Sequence, residues 1–379
     1  MTQISVVPVT SKSQQKLFLE LPWKIYAGND YWVPPLRMDQ KEMVGFAKHP
    51  FYQNNDRQTF LAMRGDEPVG RISAIINKLH NERFEEKRGF FGFFESIDDQ
   101  EVANGLFAAA EIWLRERGMT DMRGPCSPSQ NYECGLLIDG FDIMPTFMMA
   151  YNHPYYQALC ENYGLEKTQD LISFWGRTEM VESLDKKLGF VIEEAIRRFD
   201  IQLRPLNKKK FAEELRMFLD IYNKSLVGTW GFTPLTDAEI NSLGKALRFL
   251  IVPEMTSVAE VNGSPIGAVF GLLDYNPRIR EIDGRLFPFG FLKLLTNKKA
   301  LKRVRLVSTN VLPEYQRWGV GLVLMSRLVP EIFKWGIEIA EFSWVLESNH
   351  LSRATLERGG AEIDKMYRLY DKSLVPPKS

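Results

Sequence analysis

Cysteine and histidine are scarce in this chain. Its 379 residues hold three cysteines (Cys126, Cys134, Cys160) and four histidines (His49, His80, His153, His350). None fall at metal-ligand spacing, so no metal is expected. An odd, sparse cysteine count excludes a disulfide-stapled scaffold and suits a reducing compartment. An excess of one charge is missing too: 48 basic side chains face 48 acidic ones. That removes nucleic acid as the expected main partner, because binding phosphates takes a clear basic surplus. No apolar run approaches the ~18 residues of a membrane-spanning helix, and residues 1–20 contain no apolar signal core. Disorder is excluded by a 45% hydrophobic and 12% aromatic composition spread along the whole chain. The expectation is a soluble cytoplasmic protein whose membrane contact, if it has one, is peripheral.

At roughly 150 residues per domain the length suggests two domains, and a faint internal repeat agrees. Ile4–Pro8 resembles Ile201–Pro205, Pro68-Val69-Gly70 resembles Pro265-Ile266-Gly267, and Glu161–Gly164 resembles Glu357–Gly360. The offsets are 205−8 = 197, 265−68 = 197 and 360−164 = 196. In the second copy Leu215, Phe218, Leu219 and Tyr222 recur at helical spacing. Thr256–Val261 and Ile266–Leu273 flank an Asn-Gly turn and predict a hairpin. Further strands are predicted over Arg303–Val311, Glu338–Leu346 and Glu362–Asp371. Helices are predicted after Gly321, with Leu322, Met325, Leu328, Val329 and Ile332 on the buried face and a kink at Pro330, and over Leu351–Arg358. Residues 1–177 and 200–379 therefore read as two α/β (α+β) domains, each a mixed, largely antiparallel sheet flanked by helices. A linker helix over 178–199 joins them, with acids at its start and Arg197-Arg198 at its end to suit the helix dipole.

The segment Val311–Leu322 carries the most information. It follows a strand and opens a helix. Gly319 and Gly321 allow a sharp turn with converging N–H groups, and the helix start adds partial positive charge. Such a cradle suits a pyrophosphate, to which Arg317 can add a charge-assisted contact. It is neither a Walker A loop nor a GxGxxG dinucleotide turn. Gln316-x-x-Gly319-x-Gly321 after a strand ending in Val311-x-Pro313 resembles the acyl-CoA pyrophosphate motif of the GNAT N-acetyltransferase superfamily, and residues 200–372 follow that family's order of elements. The resemblance implies two tandem GNAT-like domains and acyl-CoA as donor. The amides of Gln316, Arg317, Trp318, Gly319, Val320, Gly321 and Leu322 would line the pyrophosphate. The main chain at Val311 would hold the pantetheine and polarise the thioester carbonyl, and Asn349 would stand beside the pantetheine. One departure is that the family's frequent tyrosine seven residues after that asparagine is Leu356 here; Tyr367 and Tyr370 are possible substitutes.

Acyl transfer to an amine needs a base, and Arg303–Val311 has no carboxylate. Glu341, Ser343, Val345 and Glu347 alternate onto one face of the next strand. Glu347 at its end is the first choice for the base, Glu341 the second and His350 the third. The first copy lacks the cradle, because its equivalent stretch, Phe90–Glu101, brings Glu95, Asp98 and Asp99 where phosphates would bind. That copy reads as degenerate. Its long mixed loop from Gly124 to Pro154 offers Asn131, Glu133 and Tyr151 as acceptor-binding residues.

Between Asp283 and Glu314 there is no acid, and the run Arg285–Leu295 is apolar before Lys298, Lys299, Lys302, Arg303 and Arg305. It suits an interfacial segment at an anionic membrane, the wall of an acyl channel, or a packed insertion with solvated lysines. The whole chain, through Trp32–Leu36, Gly89–Glu95 and Trp344–Asn349, also resembles a bacterial group of tandem GNAT-like proteins related to bacterial ceramide synthases. That likeness implies a small-molecule or lipid amine of the sphingoid type as acceptor. The alternatives are a non-catalytic acyl-CoA-binding module and a peptidoglycan-type aminoacyltransferase.

Overall fold

The computed structural model describes residues 3–375 and, for 181–188, the backbone alone. Two copies of one series of elements follow each other. The first runs β1 (Ile4–Pro8), α1 (Lys12–Ile25), α2 (Arg37–Met43), β2 (Asp56–Arg64), β3 (Glu67–Ile76), α3 (Lys78–Phe84), β4 (Arg88–Ser96), α4 (Gln100–Arg115) and β5 (Asp121–Gly124). Three short strands follow, β6 (Cys126–Ser127), β7 (Glu133–Cys134) and β8 (Leu136–Asp139), then α5 (Tyr156–Asn162) and β9 (Glu166–Arg177). The connecting helix is α6 (Thr178–Phe199), with Glu179 in its first turn and Arg197 and Arg198 in its last. The second copy runs β10 (Gln202–Arg204), α7 (Phe211–Ser225), α8 (Asp237–Leu247), β11 (Thr256–Val261), β12 (Ser264–Leu273) and α9 (Asn276–Glu281). After them come α10 (Gly290–Leu295), β13 (Arg303–Val311), α11 (Val320–Trp335), β14 (Ile339–Leu346), α12 (His350–Arg358) and β15 (Glu362–Ser373). The repeat inferred from three turn markers thus extends to every element, with α10 inserted in the second copy and β6–β8 inserted in the first.

The chain forms two compact units that do not divide it at one point. Unit one takes the residues up to Leu171, then Ile279–Leu286, then everything from Lys365 on; unit two takes Ile172–Arg278 and Phe287–Asp364. In unit one the strand order is β1-β2-β3-β4-β5-β15, in unit two β10-β11-β12-β13-β14-β9. The last strand of each copy therefore serves the other copy's unit in part: Ile172–Arg177 of β9 lie in unit two, and Lys365–Ser373 of β15 in unit one, where Tyr370–Ser373 pair antiparallel with Gly124–Asp121 of β5. The loop expected over Gly124–Pro154 is partly ordered by pairing, since β6 pairs with β7 and β8 pairs with β15.

Local chemistry explains the shared frame. Both central hairpins turn in two residues, Gly65-Asp66 and Asn262-Gly263. Asn262 and Gly263 both have positive φ, 50° and 75°, the geometry that makes Asn-Gly a tight hairpin turn. The buried stripe of α11 is Val320, Val323, Leu324, Leu328 and Ile332. This corrects the expected face: Leu322, Met325 and Val329 are only half-buried, and α6 packs along the same helix. A helix apolar on both sides gives a blurred period, which is why the stripe was misjudged. Pro330 lies inside α11, which runs on to Trp335.

Candidate functional site

The cradle is built where β13 hands over to α11. A short 3₁₀ turn over Pro313–Tyr315 follows the strand. Arg317 then adopts φ 67° and Gly319 φ 80°, and α11 begins on Gly319 with no side chain capping it. Left-handed residues alternating with ordinary ones turn successive N–H groups to one side, the geometry of an anion-binding nest. At Gly321 an added Cβ would meet only Thr309 Cγ2, at 3.6 Å, so space stands over this glycine. At Gly319 it would meet Val191 Cγ1 at 2.7 Å, so α6 walls the cradle on that side. The Arg198 guanidinium lies 3.8 Å from the centroid of the Trp318 ring, and Phe199 packs edge-on against Tyr315 and Trp318. The Arg317 side chain is exposed. Gln316 is exposed but its amide nitrogen is engaged: Nε2 donates to the carbonyls of Val311 (2.9 Å) and Ser225 (3.3 Å), pinning the loop to strand and helix.

Behind the cradle the sheet opens. Parallel pairing of β13 with β14 runs from Arg303↔Ile339 to Leu306↔Phe342, and both strands continue beyond it, to Val311 and Leu346. Five further residues of β13 and four of β14, at about 3.3 Å each, make a wedge roughly 13–16 Å deep. Leu312 N–H donates to Ile266 on the β12 side. Successive N–H groups of a strand point to opposite sides, so the Val311 N–H faces the wedge. Beside it stands a residue absent from the sequence-based site, Asn310. It is 1% exposed, and its Oδ1 accepts from Ser225 Oγ (3.1 Å) and Ser308 Oγ (2.9 Å). Its Nδ2 has no hydrogen-bond partner among the described residues. A buried amide donor left over costs about 1–3 kcal/mol, and a ligand oxygen would recover that cost. Its sequence signal is weak, one amide among the polar residues Arg303, Arg305, Ser308 and Thr309 of the same strand.

On β14, Glu341 is buried (2% exposed) and stands in register with Arg305. Arg305, also buried, donates from Nε to Ser343 Oγ at 2.7 Å. A buried carboxylate set beside a buried guanidinium serves charge compensation first. Glu347 lies one residue past the strand and is half-buried. Asn349, rather than Glu347, caps α12, its Oδ1 accepting from Ser352 N–H at 3.2 Å. His350 is exposed. Leu356 lies on α12, while Tyr367 and Tyr370 are fully buried and lie among the residues of unit one, where the Tyr370 hydroxyl donates to Glu161.

The residues expected to meet the acceptor all lie in unit one. Asn131 and Glu133 belong to the turn and strand that pair β7 with β6, and Glu133 is exposed. The Tyr151 hydroxyl donates to the Phe141 carbonyl (3.1 Å) and accepts from Asn29 Nδ2 (3.3 Å). The first copy's counterpart of the cradle is closed. Its helix α4 starts on Asp99, whose carboxylate accepts from Glu101 N–H at 2.9 Å and pairs with Arg64 at 2.5 Å. Its counterpart of Asn310 is Glu95: the register partners Arg71 and Ala268 are 268−71 = 197 apart. Glu95 accepts from Tyr26 (2.7 Å), Tyr156 (2.8 Å) and Arg71 (3.4 Å). Burial, with the Glu95 carboxylate second, holds both phenols well above their ordinary pKa, so they remain donors.

Comparison with known proteins agrees with this geometry. Residues 215–360 match the acetyltransferase (GNAT) family. The chain is 36% identical to protein YghO of Escherichia coli (strain K12), the match covering 96% of this chain and 94% of that one. It is 34% identical to a bacterial ceramide synthase of Caulobacter vibrioides (strain NA1000 / CB15N), with 98% of both covered. Among solved structures, a tandem GNAT protein from the clavulanic acid biosynthesis pathway superposes with a TM-score of 0.58 over 99% of this chain and 100% of that one. At 11% identity that likeness concerns fold alone. Among the described residues no group of three or more His, Cys, Asp or Glu could hold a metal ion, and no helix is long and apolar enough to cross a membrane.

Proposed function

The chain belongs to the acetyltransferase (GNAT) family, and on that premise we propose that it is an acyl-CoA-dependent N-acyltransferase acting on a lipid amine of the sphingoid type in the cytoplasm, at the membrane surface. The observation that carries the proposal is the start of α11: two left-handed residues, no side-chain cap and open space over Gly321. The printed name of the Caulobacter relative, bacterial ceramide synthase, supports the acceptor class.

In this reading the amides from Arg317 to Gly321 hold the donor's pyrophosphate, while those of Gln316 and Leu322 donate to the Pro313 and Gly319 carbonyls, and Asn349 flanks the pantetheine. The Val311 N–H and Asn310 Nδ2 donate to the thioester oxygen, where negative charge grows in the transition state. Glu347 takes the proton of the attacking amine, directly or through water. The C–N bond forms as the C–S bond breaks, and the departing thiolate takes up a proton. Both substrates are held together, so no acyl-enzyme is needed. Glu341 keeps its place beside Arg305 as the second choice of base. Asn131, Glu133 and Tyr151 contribute to acceptor binding.

Thermal unfolding with acetyl-CoA, palmitoyl-CoA and acylated carrier protein tests donor binding. About 2.7 kcal/mol of stabilisation is expected at a hundredfold excess over Kd. Incubation with labelled thioesters and a panel of amines, read by mass spectrometry, tests the reaction. Binding without product would favour a non-catalytic thioester-binding protein, and no shift with any thioester would overturn the proposal. Glu347→Gln is expected to lower the rate and flatten the acid limb of the pH–rate profile, where a carboxylate base becomes protonated; an unchanged profile at normal rate would discard that base.

A further inference from the structure

Unit two carries an outward-facing apolar segment ringed by positive charge. Phe287 is 67% exposed and Phe289 72%, just ahead of α10, and Leu292 (45%) and Leu295 (38%) continue the row along the helix. Only Leu294 anchors α10 inward, at 4% exposure. At 100° per residue Phe291, Leu292 and Leu295 share one arc of α10, while Lys293 falls opposite Leu295. The segment is held in shape from outside that arc. The Arg278 guanidinium donates to the carbonyls of Lys293, Thr296 and Asn297 and closes the helix end. Lys298 Nζ donates to the carbonyl of Phe249, another ring, 62% exposed.

The stretch that carries these rings holds charge of one sign. No acidic residue occurs from 284 to 313. Lys298 sits close enough to Lys208 and Arg278 that burial first, and their repulsion second, lower its ammonium pKa below the ordinary lysine value. Lys299 and Lys302 follow, both exposed. A solvent-facing row of Phe and Leu costs solubility unless something apolar covers it, and the ammonium groups of Lys208, Lys298, Lys299 and Lys302 favour an anionic cover.

We propose that Phe287, Phe289, Leu292 and Leu295, with Phe249 and the surrounding Lys208, Lys298, Lys299 and Lys302, form a docking face that inserts shallowly into the headgroup region of an anionic lipid bilayer. The rings reach the acyl boundary and the ammonium groups meet the phosphates. The inference deepens the lipid-amine reading, since such a face would bring the enzyme to the layer that holds its acceptor, but its test needs no catalysis.

The test is co-sedimentation of the full chain with vesicles of phosphatidylcholine alone or mixed with phosphatidylglycerol. Preferential binding to the mixed vesicles is expected. It should weaken as salt rises from about 0.1 M to about 1 M, where the Debye length shrinks from roughly 10 to 3 Å. Phe287→Glu/Phe289→Glu and, separately, Lys208→Glu/Lys299→Glu should each lower the partition by about tenfold. The four side chains are exposed, so unchanged melting and an unchanged thioester-induced thermal shift should accompany the loss. Wild-type protein left in the supernatant, or variants that sediment like wild type, would overturn the inference. So would variants that keep vesicle binding but change acyl-chain preference, which would make the segment a channel wall. An absent thioester shift alongside intact vesicle binding would instead sink the transferase reading and leave this face standing.

Discussion

The two copies share an order of elements and differ at two matched places, and both differences run the same way. Where the second copy starts α11 on Gly319 with nothing capping it, the first starts α4 on Asp99, whose own carboxylate takes the helix N–H. Where the second leaves Asn310 with a spare amide donor, the first sets Glu95 among three donors. Even the tie between helix end and strand recurs: Tyr26 after α1 reaches Glu95, and Ser225 at the end of α7 reaches Asn310. At these two places the first copy meets the demand from within: Asp99 takes the helix N–H and Glu95 takes three donors. In the second the same frame is left short of one anion and one oxygen. A site in this fold is therefore a withheld internal partner.

The sharpest way to break that contrast is to give the second copy what the first has. Gly321→Glu places a carboxylate at the start of α11, where the cradle would receive phosphates. Like-charge repulsion in a binding site costs several kcal/mol, so donor affinity should fall at least about a hundredfold, read as loss of the thioester-induced thermal shift. Folding should not suffer, because Gly321 has room beside Thr309 and an acid in the first turn complements the helix dipole. Retained donor affinity in a well-folded variant would place the donor elsewhere and end the contrast.

Asn310→Ala probes the second difference. If Nδ2 donates to the reacting carbonyl, kcat should drop by about a hundredfold with a much smaller change in KM. If Asn310 only braces Ser225 and Ser308, kcat should hold while the melting temperature falls. Asn310→Asp keeps both hydroxyl contacts but turns the donor into an acceptor that carries negative charge when ionised, so it should lose at least as much kcat as the alanine variant.

How much of this could be read from sequence depends on whether the signal was local. The repeat was legible because hairpin turns demand particular residues at fixed places, such as Asn262-Gly263, and because helix periods survive divergence. The cradle was legible because a strand, two close glycines and a helix lie within a dozen residues. The exchange of β9 and β15 between units was not, since neither strand's own pattern says which edge it will join. The buried face of α11 was misjudged because α6 covers a second face that a single helical period does not report. Asn310 escaped because its importance lies in what it lacks, and hydrogen-bond completeness is a property of the assembled site.

The smallest expected effect comes from removing the first copy's built-in anion. Asp99→Ala deletes an N-cap that also pairs with half-exposed Arg64. An exposed pair of this kind adds little, so the loss should be near the usual capping value, about 1 kcal/mol of stability. Donor stoichiometry by calorimetry should stay at one thioester per chain, because Glu95 still closes the neighbouring strand end and Asp98 still brings negative charge to the approach. A second thioester bound by the Asp99→Ala protein would show that one carboxylate alone had kept the first copy silent, and that the two copies differ in occupancy rather than in design.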